Sequence, residues 1–276
     1  GENALDASVT GGNNTAIGKN ALTTNTSGQY NTAIGSEALK VNTTADGNTA
    51  IAYGSLYSNT TGASNTALGV NGLTANTTAS NNTAVGFDCL QANTTGGYNT
   101  ALGANALDAN TTANHNVGVG WHALGANTTG AYNTAVGDRA LFVNTTASNN
   151  TAVGHGSLIA NTTGANNVAV GSLALDANST GNNNIALGMN ALGTNTTAND
   201  NIAIGEGALF LNTTGTANVA LGRQSLRENT TASNNTGVGY FALYSNTTGT
   251  KNTAVGYNSA DANTTGDFNV ALGADS

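Results

Sequence analysis

The chain of 276 residues contains no proline and only one cysteine, Cys89, and charged residues make up 7% of it. A single cysteine excludes an intrachain disulfide. No apolar run approaches the roughly 18 residues that a membrane span needs, so we expect no membrane insertion by this chain. With 6 Lys and Arg against 14 Asp and Glu, the sequence has no basic stripe, which argues against nucleic acid as a partner.

What the sequence does contain is a repeat of 17 residues. The asparagine of Asn-Thr-Ala-Ile-Gly recurs from Asn14 to Asn269 in 16 copies without insertion or deletion, and we number the repeat positions 1–17 from it. The consensus is N-T-A-[VIL]-G-x-x-A-L-x-x-N-T-T-[GA]-x-x. We therefore treat residues 1–276 as a single repeat array, with Asn14–Ser276 in register and Gly1–Asn13 as part of a preceding repeat.

The columns of this array differ in their chemistry. Position 4 is always aliphatic from Ile17 to Leu272, position 9 is leucine from Leu22 to Leu243, and position 12 is asparagine in all 15 copies from Asn25 to Asn263. Nineteen of the 20 charged residues fall at positions 6, 7, 10, 16 and 17, so these columns are expected to face solvent. Such a split is typical of a solenoid, in which each copy meets the same neighbours above and below, and it argues against a disordered chain.

The period and composition favour an all-β parallel β-solenoid, with one 17-residue repeat per coil and about 16 coils. Two packed helices need roughly 33 residues per unit. Thr-Ala-[Val/Ile/Leu] before a glycine alternates like a strand, whereas Asn-Thr-Thr is typical of a turn. We expect a second short strand at positions 8 and 9. At about 4.8 Å per coil, the rod would be on the order of 75 Å long.

Asparagine at positions 1 and 12 is expected to form ladders of amide hydrogen bonds along the solenoid, because stacked amides satisfy one another in a buried column. The predicted ladder residues at position 1 are Asn14, Asn31, Asn48, Asn65, Asn82, Asn99, Asn116 and Asn133. Those at position 12 begin with Asn25, Asn42, Asn59, Asn76 and Asn93.

Position 12 also opens an Asn-x-Thr/Ser sequence in every copy, which is the acceptor pattern for N-glycosylation. The candidate acceptors are Asn25, Asn42, Asn59, Asn76, Asn93, Asn110, Asn127, Asn144, Asn161, Asn178, Asn195, Asn212, Asn229, Asn246 and Asn263. One glycan per coil is one interpretation. A buried ladder is the interpretation we favour, because it explains why this asparagine never varies among the copies.

The sequence has no pattern of catalytic or metal-ligating residues. His115, His122 and His155 occupy positions 17, 7 and 6, so they share no column. The acidic residues do not pair at matching positions in adjacent coils, and no Asp-rich calcium repeat is present. Cys89 stands in an alanine column, as expected for a small core residue. We expect no enzymatic activity, no metal and no cofactor.

The repeat core N-[ST]-x-[AVIL]-G-x-x-[AS], seen in Asn31–Ala38, resembles the head repeats of YadA-like trimeric autotransporter adhesins. The resemblance implies a left-handed parallel β-roll, association of three chains, and a cell-surface location with binding to host matrix or other surfaces. Similar repeats occur in bacterial surface and phage tail-fibre proteins. The repeats here are longer than is typical of that family. We expect lateral association into a trimer, if it occurs, to bury the Ala/Gly face.

These observations predict a non-catalytic, extracellular, structural or adhesive fibre segment. Its expected partners are copies of itself, as a homotrimer or an end-to-end fibre, and a host surface, matrix or glycan. Two alternatives stay open at this point. One is an ice-binding β-solenoid, because regular threonine columns on a flat face can order water, although position 2 is Val or Ile in six copies. The other is the shaft of a phage tail fibre.

Overall fold

The computed structural model describes residues 1–7 and 10–276, which form two compact units, Gly1–Asp138 and Arg139–Ser276. Each unit is a parallel β-solenoid in which every 17-residue repeat contributes one three-residue strand. The described residues contain no helix. The predicted fold class is thus confirmed. The left-handed sense of the solenoid stays a prediction, as does the single array spanning both units.

The first unit contains eight strands and the second unit another eight. The strands of the first unit are β1 (Thr15–Ile17), β2 (Thr32–Ile34), β3 (Thr49–Ile51), β4 (Thr66–Leu68), β5 (Thr83–Val85), β6 (Thr100–Leu102), β7 (Val117–Val119) and β8 (Thr134–Val136). Those of the second are β9 (Thr151–Val153), β10 (Val168–Val170), β11 (Ile185–Leu187), β12 (Ile202–Ile204), β13 (Val219–Leu221), β14 (Thr236–Val238), β15 (Thr253–Val255) and β16 (Val270–Leu272).

Within each unit, neighbouring strands pair in parallel with a register offset of one repeat. Ala33 lies opposite Ala16 and Ala50, and the flanking threonine and aliphatic positions pair in the same way. Each side chain therefore meets its own counterpart in the coil above and below. Because of this stacking, the residue at each repeat position must fit against the same position in the neighbouring coils.

The strand places alanine inside the coil and the aliphatic residue outside. Ala33 and its counterparts at position 3 are buried, whereas Leu68 and Leu102 at position 4 are 44% and 47% exposed. A Cβ built on Gly118, at position 3, would lie 3.3 Å from the Leu107 side chain of the preceding coil, so the interior is already filled by leucine. The expectation that lateral association buries the Ala/Gly face was wrong, because alanine already lines the core.

Positions 5–9 form a turn in place of the expected second strand. Positions 7 and 9 have positive φ, as at Asn20 (55°) and Leu22 (52°), which a strand does not allow. Coils still bond to each other here: the Leu22 N–H donates to the Ala38 carbonyl of the next coil at 3.0 Å. The expected strand was wrong because the left-handed backbone at the leucine bends the chain while that side chain stays fully buried.

Position 15 holds only glycine or alanine, for steric reasons, and the two alternate except for slips at Gly181 and Gly266. Gly28 does not have a positive φ, but a Cβ built on it would lie within 3 Å of the Ala45 carbonyl oxygen. The same two-coil period appears at position 16, where a short polar side chain follows the alanine. Asp46 accepts the Gln29 N–H at 2.7 Å, and Ser80 accepts the Ala63 N–H at 3.0 Å. Two coils together thus complete this edge of the solenoid.

Candidate functional surfaces

The asparagines of position 12 stack into a continuous ladder within each unit. Asn42 Nδ2 donates to Asn25 Oδ1 at 3.0 Å, and Asn59 Nδ2 donates to Asn42 Oδ1 at 3.0 Å. The same nitrogen also donates to the position-15 carbonyl of its own coil, as Asn59 does to Gly62 at 2.9 Å. Each amide is therefore hydrogen-bonded from two sides, which offsets the cost of its full burial.

The asparagines of position 1 bond mainly to the backbone. Asn14 Oδ1 accepts the Asn31 backbone N–H at 2.9 Å, and Asn31 Nδ2 donates to the Ala45 carbonyl at 2.8 Å. Asn42 donates to that same carbonyl at 3.2 Å. The two asparagine columns thus converge on one oxygen per coil. The amide-to-amide bond recurs only in some coils, for example between Asn184 and Asn167 at 3.2 Å.

Burial decides what the Asn-x-Thr/Ser sequences can do in the folded chain. The position-12 side chains from Asn25 to Asn246 are fully buried, and only Asn263 is half-buried. A glycan would replace a hydrogen on the nitrogen that makes both ladder bonds. Glycosylation of the folded solenoid would therefore break the ladder, whereas modification before folding would prevent it from forming.

The three histidines lie on the outside of their coils. His115 stacks between the Tyr98 and Tyr132 rings, with both centroid distances 5.0 Å, and His122 meets Trp121 edge-on at 4.4 Å. Among residues 1–7 and 10–276, no group of three or more His, Cys, Asp or Glu side chains could hold a metal ion. We had not predicted the Tyr–His–Tyr stack, although its 17-residue spacing was visible in the sequence.

Cys89 is buried in the alanine column of position 8. Its Sγ lies 3.4 Å from the Val85 carbonyl and also contacts the Gly103 carbonyl of the next coil. Burial raises the pKa of the Cys89 thiol to about 11. A thiol that stays protonated at neutral pH is a poor nucleophile and a poor metal ligand.

Threonine at position 2 and the aliphatic residue at position 4 form the outer side of the β-sheet, which we call the sheet face. Within the first unit, position 2 is threonine in seven of eight strands, Val117 being the exception. In the second unit it is Val or Ile in five of eight strands. The sheet face carries no charged residue in either unit, so it is a continuous apolar and hydroxyl surface.

Positions 6, 7 and 10 form a second outward surface, which we call the variable face because its side chains differ from coil to coil. Opposite charges pair there, for example Arg223 with Glu206 at 3.1 Å and Lys40 with Glu37 at 3.0 Å. Cations also cover rings, with Lys40 Nζ 5.1 Å from the Tyr57 centroid. Partial burial raises the pKa of the Asp108 and Asp176 carboxyl groups at position 10.

Comparison with known proteins adds no family to this description, because no family model and no curated protein matches the chain. Within the part of the chain that the structure describes, no helix is long and apolar enough to cross a membrane. The sheet face and the variable face are therefore the features from which a function can be inferred.

Proposed function

We propose that the chain is a non-catalytic segment of an extracellular structural or adhesive fibre. The observation that carries this proposal is the division of each coil into constant and variable parts. The interior columns hold small residues, leucine and asparagine with few exceptions, while nearly all charges and aromatic rings are confined to outward positions. A regular scaffold with a variable surface suits the presentation of many contacts along one axis.

The sheet face supports self-association as part of this function. It is uncharged and runs along each unit with its side chains partly or fully exposed, and contiguous apolar patches mark interaction sites in soluble proteins. A second and a third copy packed against it would cover the aliphatic residues of position 4. The homotrimer that the family resemblance implies would then be held together by this face.

Sedimentation velocity with sheet-face variants tests the self-association. We expect the wild-type chain to sediment as a trimer, and the double variant Leu68→Lys/Leu102→Lys to sediment as a monomer, because lysine would place charge inside the apolar contact. Tyr30→Lys is the matched control, since Lys251 occupies the same repeat position with the same backbone conformation. A monomeric wild-type chain at about 100 μM would contradict self-association, since stable homo-oligomers bind more tightly than this.

Adhesion is tested separately, with the wild-type chain on immobilised matrix proteins and a glycan panel. Saturable binding to at least one such surface supports the adhesive role. Absence of binding to all of them, with self-association intact, would leave a purely structural fibre segment. A chain that self-associates but binds no surface would fit the shaft of a phage tail fibre, in which similar repeats occur.

Ice binding is the second candidate function, favoured by the outward threonines of the first unit. They stand on an extended parallel sheet at one-coil intervals, next to an aliphatic residue that also faces outward. Thermal hysteresis with faceted ice crystals would support this function. Its loss in Thr66→Lys/Thr83→Lys, but not in Tyr30→Lys, would assign it to the sheet face.

A further inference from the structure

Glycine occupies position 7 in three coils, at Gly54, Gly156 and Gly207. Most other copies have a polar side chain at this position. Gly54 and Gly207 have φ of 66° and 64°, close to the 55–57° of Asn20, Asn71, Asn105 and Asn190 in the same column. The glycine therefore changes the surface without changing the backbone, because it removes one side chain from the stacked column of position 7. At Gly54 and Gly207 the missing side chain leaves a notch in the variable face.

The Gly207 notch lies in the second unit and has a volume of about 150 Å³. Phe210 forms its aromatic wall, and Glu206 and Arg227 contribute opposite charges. Asn190 and Gln224, at position 7 of the coils on either side, contribute amide groups that donate and accept hydrogen bonds.

The Gly54 notch repeats this arrangement in the first unit, with a volume of about 250 Å³. Tyr53 and Tyr57 form its aromatic walls, Glu37 contributes a carboxylate, and Asn71 and Thr74 contribute an amide and a hydroxyl. The residues stand at the same repeat positions as in the Gly207 notch, namely 6, 7 and 10. Two separate places in the chain thus present a ring, a carboxylate and an amide around the same missing side chain.

The third position-7 glycine has an apolar neighbour. A Cβ built on Gly156 would lie 3.0 Å from Leu173 Cδ2, in the leucine side chain of the next coil. The same test at Gly207 finds Gln224 Cγ at 3.6 Å, and at Gly54 it finds Asn71 Oδ1 at 3.0 Å. The nearest side chains at Gly54 and Gly207 therefore carry hydrogen-bonding groups, whereas the nearest side chain at Gly156 carries none.

The charges around the notches are balanced. Glu206 pairs with Arg223 at 3.1 Å, and Arg227 pairs with Glu228. Glu37 pairs with Lys40 at 3.0 Å. Because every carboxylate at the notches has a cation beside it, neither a cationic nor an anionic ligand would gain a free counter-charge. The preferred ligand is therefore neutral and rich in hydrogen-bonding groups.

We propose that the Gly54 and Gly207 notches are two equivalent binding sites for a single ring of a neutral carbohydrate. A cavity of about 150 Å³ holds a molecule the size of benzene, so each notch accommodates one six-membered ring. Tyr53, together with the parts of the Tyr57 and Phe210 rings that Lys40 and Arg227 do not cover, contacts apolar C–H groups of the sugar. The carboxylate and amides bond its hydroxyl groups. The proposal deepens the proposed adhesive function, on which it rests, by naming the class of ligand.

Titration with monosaccharides, followed by saturation-transfer NMR on the full chain, tests the proposal. The probes are glucose, galactose, mannose and N-acetylglucosamine, with glucuronate and N-acetylneuraminate as anionic counterparts. We expect saturable binding of at least one neutral sugar with a dissociation constant of about 1–10 mM, as befits a small open site, and two sites per chain.

Gly54→Asn and Gly207→Asn fill the notches with the side chain that the repeat itself uses at position 7. Each single variant should remove one of the two sites, and the double variant should weaken binding at least tenfold. Gly47→Asn is the matched control, because position 17 also has positive φ (68° at Gly47), also carries asparagine in other coils, and has open space around it. It should bind the sugar as the wild-type chain does.

Three results would overturn the proposal. The first is no saturable binding of any neutral probe at about 50 mM, which is well above the expected dissociation constant. The second is equal binding by the wild-type chain and the folded double variant, and the third is binding of the anionic probes alone. Circular dichroism establishes that the variants fold. The matrix and glycan-panel assay separates this failure from that of the adhesive function, since a wild-type chain that adheres without monosaccharide binding would refute the notches alone.

Discussion

Every position-12 asparagine in the interior of a unit connects three coils through one side chain. Asn59 donates to Asn42 Oδ1 and to the Gly62 carbonyl, and its own Oδ1 accepts from Asn76 Nδ2 at 2.8 Å. No other uncharged side chain of this size offers both two donors and a two-lone-pair acceptor. This explains at the residue scale why asparagine fills this column in every copy from Asn25 to Asn263.

Asn59→Ala tests this account of the ladder. The substitution leaves the Asn42 oxygen and the Asn76 amide each without one buried partner, and we expect a loss of at least about 2 kcal/mol in the free energy of unfolding. Urea unfolding followed by circular dichroism measures it. Thr61→Ala, at an exposed position two residues away, should change the midpoint only slightly. Equal midpoints for the two variants would show that the ladder contributes little.

Cys89 should make the free energy of unfolding of the chain fall as the pH rises above 9. Its pKa in the folded chain is about 11 against an ordinary 9.0, so its stabilising contribution is complete below pH 9 and is lost as the pH rises towards 11. Cys89→Ala places the ordinary residue of the column there. We expect the variant to lose less stability than the wild-type chain between pH 9 and 11, measured by urea unfolding at each pH. Identical losses would contradict the assigned burial.

At the scale of the element, the turn at positions 5–9 determines which hydrophobic residue can enter the core. Leucine is branched at Cγ and can adopt φ near 50° at moderate cost, whereas a residue branched at Cβ is a strong outlier there. Leu56, with φ of 50°, is fully buried. The column therefore accepts leucine although isoleucine and valine are common at position 4 of the same repeats.

Leu56→Ile and Leu56→Met separate backbone strain from packing. Both substitutions roughly conserve side-chain volume, so packing alone predicts small and similar losses, below about 1.5 kcal/mol. Strain at positive φ adds a further cost for the Cβ-branched side chain, beyond the one that every residue with a Cβ bears there. We therefore expect the isoleucine variant to be the less stable of the two in urea unfolding. The reverse order would mean that the left-handed turn imposes no such selection.

Much of the element structure followed from the sequence, because the period and the Thr-Ala-[Val/Ile/Leu]-Gly pattern both have local causes. The direction in which the strand faces did not follow. Hydrophobicity alone favours burial of Ile34 over Ala33, but the coil is narrow, and Leu22 and its counterparts already fill it from the turn. The left-handed φ at leucine was also hidden, since it is required by the closure of the coil and not by the residue itself.

Of the candidate surfaces, the outward columns could be predicted from the sequence, whereas the surroundings of the notches could not. The outward columns could be recognised because charge avoids the interior, and the observed variable face follows them. The notches could have been found by asking where glycine interrupts a polar column. The side chain that borders each glycine comes from the neighbouring coil, as Leu173 does beside Gly156, and identifying it requires the stacking register that the structure supplies.

At the scale of the whole molecule, each unit presents two surfaces with different chemistry. The sheet face is uncharged and nearly constant, which suits contact with identical copies, whereas the variable face carries the ion pairs, rings and notches. Positions 2 and 4 lie on a strand and positions 6, 7 and 10 on the following turn, so self-association through the first surface leaves the second one accessible. A fibre segment needs this separation if it is to assemble and bind at once.

The last prediction concerns the register on which both surfaces depend. Deleting residues 48–64 removes one whole repeat from the first unit and joins Gly47 to Asn65, so every column stays in line. Deleting residues 48–65 removes only one residue more, but the next coil then lacks its position-1 asparagine and has 16 residues. Stability in a solenoid is approximately a sum of coil and neighbour terms, so the first deletion should cost little. The second should lower the melting temperature by about 5 °C or more, because buried carbonyl and N–H groups lose their partners. Thermal melting followed by circular dichroism compares the two, and equal melting temperatures would show that the stacked columns do not control stability.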